Sequence, residues 1–176
     1  RIIGGAGALP VDQIRLMKEV IDGSRLKFLK PYGAPYYYLH PALEAIDRLK
    51  KDNISPASLT KLLRRESQVG RGPERQRELL RLYRGYEAAL AVARLYDFND
   101  MVLEVIRALE TESDFRLMLQ EEHHYLLADE HQDANQGQNE LLRLLSSYHD
   151  RPNLFIVGDA KQAIFQFQGA SLDNFN

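Results

Sequence analysis

The sequence predicts an α/β protein in two unequal parts: a mostly helical N-terminal part, then an incomplete parallel strand-helix-strand portion. Three observations carry that prediction. Apolar residues recur at helical spacing through the first two thirds of the chain. From Tyr125 onward they contract into two short runs, Leu126-Leu127-Ala128 and Leu154-Phe155-Ile156-Val157, with a helical pattern between them. Each run ends abruptly in carboxylates and amides, as expected of a buried parallel strand whose C-terminal end delivers polar groups to a ligand crevice.

The elements follow in order. Residues 11–21 place Ile14, Leu16, Met17, Val20 and Ile21 at helical spacing, with Gly23 where a helix would stop. Residues 28–38 mix two prolines and a glycine with aromatics, which predicts an ordered loop whose tyrosines pack between helices. Pro41 suits the first turn of a helix with Leu43, Ile46 and Leu49 on one side. Ser55 as N-cap and Pro56 at the first helical position open the next, through Leu59, Leu62 and Leu63. After the break at 70–73, residues 74–96 form the longest uninterrupted helical pattern, with a broad apolar side that predicts the central helix. Asp97-Phe98-Asn99-Asp100 ends it and caps a helix at 101–109, and a short helix at 113–119 follows. Strand 125–128, polar turn, helix 138–148, Pro152 loop and strand 154–157 make a unit that is right-handed and parallel in nearly all cases. Two parallel strands are too few for a finished sheet.

Composition narrows the classes. At 176 residues with 44% hydrophobic content, the chain can bury a real core. It has no cysteine, so disulfide frameworks and cysteine-rich zinc sites are excluded, and a reducing, cytoplasmic setting is compatible. No apolar run approaches a membrane span, and no signal peptide is recognisable. The chain does not begin with methionine, so it is read as an internal piece of a longer protein. The net charge of -2 hides an uneven distribution: residues 61–84 hold eight basic and three acidic residues, residues 97–133 two basic and eleven acidic. One region could meet phosphates and the other a divalent cation, or both could be solvated helix faces.

The residues that could carry chemistry cluster at the two strand ends. Adjacent carboxylates at Asp129 and Glu130 would point to opposite sides of a strand, one holding a cation and the other addressing a water or substrate. Phosphate-ester hydrolysis uses such a division. Gln132, Asp133, Asn135 and Gln138 extend the polar run beyond what a plain turn needs. After Val157-Gly158-Asp159, the amide of Gln162 can donate to a phosphate oxygen and accept from water at once. Phe165 and Phe167 could be core residues, or platforms for single-stranded bases at roughly 1–3 kcal/mol per base. His123, His124 and His131 lie nearby, but their spacing does not suit a metal site.

These residues carry a resemblance. Leu127-Ala128-Asp129-Glu130-His131-Gln132-Asp133-Ala134-Asn135 resembles the second motif of UvrD/Rep/PcrA-like superfamily 1 DNA helicases, V-D-E-x-Q-D-T-N. The stretch from Val157 to Ala170 resembles their third, V-G-D-x-x-Q-S-I-Y-x-F/W-R-G-A, and Asp97-Phe98-Asn99-Asp100-Met101 is similar to the D-F/Y-x-D-M/L element before the second. The resemblance implies residues 1–96 as a helical 1B-like subdomain and 97–176 as part of a RecA-like P-loop NTPase domain, 1A. It also implies a parent that couples hydrolysis of ATP with Mg²⁺ to movement on single-stranded DNA and duplex unwinding, in contact with the remaining helicase domains of the same polypeptide. By it, Asp129 would hold Mg²⁺, Glu130 would activate the water and Gln162 would couple the γ-phosphate to DNA movement. Phe165 and Phe167 would stack on bases, and Arg64, Arg65, Arg71, Arg75 and Arg77 would attract phosphates.

Gln168 and Ala134 stand where the family has arginine and threonine. No G-x-x-x-x-G-K-[ST] occurs, so this piece alone is expected to be inactive. Two alternatives come from other classes: a non-catalytic helicase-like module that binds a partner protein or DNA, and a metal-dependent hydrolase using Asp129, Glu130 and the histidines.

Overall fold

The computed structural model describes residues 5–67, 74–148 and 152–158. Four helices make the N-terminal part: α1 (Pro10–Gly23), α2 (Leu39–Lys51), α3 (Pro56–Ser67) and α4 (Glu74–Ala93). Their apolar stripes meet in one core of Leu16, Met17, Ile21, Leu39, Ile46, Leu59, Leu63, Leu79, Leu82, Tyr83, Tyr86 and Leu90. Helix α4 runs through the middle, as its broad apolar side predicts. Gly85 lets α1 lie directly on it, since a Cβ there would stand 2.5 Å from Val20 Cγ1. Ser55 caps α3 as expected, its Oγ accepting from Ser58 N at 3.2 Å.

The helical part is closed at its base by two short strands, β1 (Ala6–Gly7) and β2 (Leu95–Tyr96), paired in parallel. Here the sequence expectation is corrected, because α4 does not continue to residue 96. It stops at Ala93, Arg94 takes a left-handed turn (φ 52°), and Leu95 and Tyr96 leave as a strand. Periodicity could not register this, because Leu95 falls on the helical stripe and is apolar in either structure.

The 28–38 segment is an ordered loop, held from beneath by a buried carboxylate. Glu78, 3% exposed on α4, accepts hydrogen bonds from the backbone N–H groups of Lys27, Phe28 and Leu29 at 2.6, 2.9 and 2.9 Å. Leu29 plugs the core, and Lys30 Nζ caps the end of α1 by donating to the Ile21 carbonyl at 2.9 Å. The tyrosines do not pack between helices as expected. Tyr32 and Tyr37 stand in solvent, Tyr36 is tied to Asp22 through its hydroxyl at 2.8 Å, and only Tyr38 rests on the core. Glu78→Ala should destabilise the chain by about 2–4 kcal/mol in urea unfolding, because three charge-assisted hydrogen bonds disappear and water replaces them only in part.

A second core lies under helices α5 (Phe98–Thr111), α6 (Ser113–Glu122) and α7 (Gln136–Ser146), built on Leu103, Ile106, Leu109 and Leu144. Gln120, 4% exposed, stitches α6 to α7 by donating to the Leu144 carbonyl at 2.7 Å. Strands β3 (Leu126–Ala128) and β4 (Leu154–Ile156) flank α7 in sequence and pair in parallel with Leu126 opposite Leu154, as the strand-helix-strand pattern predicts. They are not buried, however. Leu127 is 77% exposed and Phe155 63%, because a two-stranded ribbon leaves one face and both edges without cover.

The two parts are joined by a charged cluster. Lys50 of α2, 1% exposed, points its Nζ at Asp97 Oδ2 and Asp100 Oδ1, both at 2.6 Å, and at Glu87 Oε1 at 2.7 Å. The contact with Glu87 is an ion pair without the alignment of a hydrogen bond. Asp97 and Asp100 also form the capping box of α5, each accepting from the other's backbone N–H at 3.0 Å. Asn99 adds a second tie, donating to Asp47 of α2 at 2.6 Å.

Candidate active site

Strand β3 delivers Asp129 and Glu130 at its C-terminal end, where the chain turns sharply. Glu130 adopts left-handed backbone angles (φ 49°, ψ 38°) and the residues His131–Asp133 follow as one turn of 3-10 helix. A non-glycine residue in this conformation costs about 1–2 kcal/mol, and such outliers gather at functional sites. The simple alternation of a strand therefore ends at Asp129. Asp129 Oδ1 accepts from Glu130 N at 2.8 Å, while the Glu130 carboxylate turns toward Gln132, whose Nε2 donates to Glu130 Oε2.

Strand β4 closes on the same turn. Val157 N donates to the Ala128 carbonyl at 2.8 Å, and His131 N donates to the Val157 carbonyl at 2.9 Å, so the ladder continues past both strands into the polar turn. Gly158 sits directly over Gln132: a Cβ at this position would meet Gln132 Oε1 at 2.6 Å. The ends of the two strands, separate in sequence, form one surface.

Not all of the polar run belongs to that surface. Asn135 and Gln138 form the capping box of α7, with Asn135 Oδ1 accepting from Gln138 N at 3.0 Å and Gln138 Oε1 accepting from Asn135 N at 2.9 Å. Part of the density of hydrogen-bonding groups is thus a helix start. Gln132, by contrast, is 8% exposed and directed at the carboxylate.

Asp129 and Glu130 are exposed, as a cation or water site requires. Among the described residues no group of three or more His, Asp or Glu side chains converges on a metal position. One or two carboxylates suit Mg²⁺, which keeps several waters and takes further ligands from phosphates, better than an all-protein cage. That donor set disfavours the hydrolase alternative. His123 and His124 are exposed, and His131 keeps a buried Nδ1 without a hydrogen-bond partner among the described residues. Arg64 and Arg65 stand exposed in the last turn of α3. Gln162, Phe165, Phe167, Arg71 and Gln168 lie outside the described residues.

The Lys50 cluster escaped sequence reasoning. Its signal was available: Lys50 stands four residues after Ile46, on the buried stripe of α2, where a lysine needs partners. Burial alone would lower the Lys50 pKa, but Asp97, Glu87 and Asp100 together raise it above the ordinary lysine value. Burial raises Asp97 and Glu87 in turn, against the pull of Lys50.

The polar turn that ends β3, with its two carboxylates and the end of β4 packed on it, lies at the carboxyl ends of parallel strands, where α/β frames bind their ligands. The chain belongs to the UvrD/REP helicase N-terminal domain family, which matches it over residues 11–176. It is 29% identical over 163 residues to the ATP-dependent DNA helicase Rep of Salmonella typhimurium, covering 93% of this chain and 22% of that protein. To a probable DNA helicase of Mycoplasma pneumoniae it is 38% identical over 109 residues, 62% of this chain and 20% of that one. A subunit of the ATP-dependent helicase/nuclease of Streptococcus pyogenes shares 41% identity over 93 residues, 51% of this chain and 7% of its own length. The chain therefore spans about a fifth or less of these relatives. No helix among the described residues is long and apolar enough to cross a membrane.

Proposed function

We propose that this chain is a piece of an ATP-dependent DNA helicase or translocase, with residues 1–96 as its 1B-like subdomain and 97–176 as the part of RecA-like domain 1A that bears motifs II and III. The observation that carries the reading is the convergence of the β3 and β4 ends, which sets Gly158 of the third motif against Gln132 of the second. The family match and the coverage of about a fifth of the Rep protein support it. In this reading Asp129 holds Mg²⁺ and Glu130 takes a proton from the attacking water. Mg²⁺, when bound, neutralises phosphate oxygens of ATP. Gln162 senses the γ-phosphate, and Phe165 and Phe167 stack on single-stranded DNA.

Because the sequence holds no phosphate-cradling G-x-x-x-x-G-K-[ST] loop, the isolated 176-residue chain should not turn over ATP. The test is a coupled ATPase assay with Mg²⁺, with and without single-stranded DNA, run on this chain and on the longer protein that contains it. DNA-stimulated turnover by the longer protein alone fits the reading; no turnover by either overturns it.

The arginines of the α3 end and the segment after it should give weak, salt-sensitive binding of single-stranded DNA. Fluorescence anisotropy with a labelled oligonucleotide is expected to show affinity falling at least tenfold between about 50 and 200 mM salt, about what release of three counterions from a single strand gives. Arg64→Ala with Arg65→Ala should weaken binding and flatten the salt slope.

A further inference from the structure

Among the described buried polar side chains, Gln132 is the one that contacts a carboxylate of the candidate site directly. It is 8% exposed, its Nε2 donates to Glu130 Oε2, and its Oε1 faces Gly158 at the end of β4. Three features make this arrangement specific. Glu130 is held in a left-handed conformation, so its carboxylate direction is set by the turn and not by strand alternation. The turn is pinned to β4 by the bond from His131 N to the Val157 carbonyl. Finally, Gly158 leaves the room in which the Gln132 amide sits, since an added Cβ would stand 2.6 Å from Oε1 and 3.2 Å from the backbone nitrogens of Gln132 and His131.

We infer that Gln132 is a positioning residue that fixes the Glu130 carboxylate for water activation, and that Gly158 is the socket that keeps the Gln132 amide in place. This rests on the helicase reading above for the reaction it serves. A carboxylate that must take a proton from one water gains from having its other oxygen occupied by a fixed donor, because one oxygen is then held toward the water. An amide side chain is suited to this role, since Nε2 donates to Glu130 while Oε1 turns toward the β4 end. Gln132 thereby links the hydrolytic carboxylate to the strand end from which the third motif departs. A shift of β4 relative to the turn would move Gly158, then Gln132, then Glu130.

The experiment has two arms. In this chain, side-chain amide NMR of Gln132 should show resonances that shift, and exchange faster with solvent, in Glu130→Ala. Unchanged resonances would overturn the contact. In the longer DNA-stimulated enzyme, Gln132→Ala should lower kcat about 10- to 100-fold with KM for ATP within about twofold. Gln132→Glu keeps the size but sets a like charge against Glu130, and should be no better than Gln132→Ala. Gly158→Ala should lower kcat about tenfold. Joined to Gln132→Ala, it should add less than about threefold, because its methyl then loses the 2.6 Å clash with Oε1 and keeps only the 3.2 Å approach to two backbone nitrogens. Wild-type kcat in Gln132→Ala, a loss that appears wholly in KM, or additive losses in the double variant would overturn the positioning role. The amide arm decides the contact whatever the ATPase shows, and a wild-type enzyme that DNA does not stimulate overturns the helicase reading instead.

Discussion

Lys50→Met is expected to destabilise the chain by about 3–5 kcal/mol at pH 7, the range for breaking a buried ion pair by removing one partner. Methionine keeps the unbranched apolar stem and lacks only the terminal Nζ position, 5.4 Å from the Tyr86 ring centroid, so packing around the stem changes little. What changes is the charge: Asp97, Asp100 and Glu87 are left facing one another with no cation. The pH dependence gives the prediction a second arm. Burial already raises Asp97 and Glu87 above their ordinary values while Lys50 pulls them down, so removing Lys50 lets both rise further. A carboxyl group whose value is higher folded than unfolded binds protons more tightly in the folded state. The variant should therefore regain stability as pH falls from 7 toward 5, narrowing its deficit. The wild-type lysine is raised, so its own contribution is whole below its ordinary value of 10.5 and declines only above it. Urea unfolding of both proteins at pH 5 and pH 7 checks the magnitude and the sign. An equal deficit at the two pH values would mean that packing, not charge, holds the two parts together.

The same cluster marks the boundary of what the sequence makes legible. Helices α1, α2, α3 and α5 follow from apolar spacing, N-caps and prolines, which act within a few residues. The parallel pairing of β3 with β4 follows from strand-helix-strand grammar. Longer-range chemistry is invisible to these signals. Lys50 meets Asp97 and Asp100 about fifty residues away, and nothing near Lys50 in sequence announces them. Glu78 gathers three backbone N–H groups from a loop equally distant. At the candidate site, sequence reasoning singled out Asp129 and Glu130 from a polar run, and the structure brings that run against the end of β4. Sequence reasoning did not separate Gln132, which faces Glu130, from Asn135 and Gln138, although those two stand at the spacing of a helix capping box. All three are amide side chains in one polar run; the left-handed turn at Glu130 sets Gln132 beside the carboxylate, and the start of α7 takes the other two.

On the proposed helicase reading, Glu130→Gln in the longer protein is expected to reduce DNA-stimulated ATP turnover by about 10²–10⁴-fold, the usual contribution of a positioned general base. The amide has the same shape and can still accept from Gln132 Nε2, so the turn and its left-handed backbone should persist. What it lacks is basicity: with no carboxylate to take the proton, the water must attack undeprotonated. On the same reading ATP is held by phosphate and Mg²⁺ contacts, so KM should stay within a fewfold and oligonucleotide affinity should not change. Asp129→Asn should behave differently, because a weakened cation site is answered in part by more Mg²⁺, whereas no Mg²⁺ concentration rescues Glu130→Gln. Steady-state kinetics across a Mg²⁺ titration, with thermal unfolding of each variant as a control, separates the two roles. If Mg²⁺ rescued both variants alike, Glu130 would be a second cation ligand and another group would take the proton. If neither variant affected turnover, the end of β3 would not be the hydrolytic site.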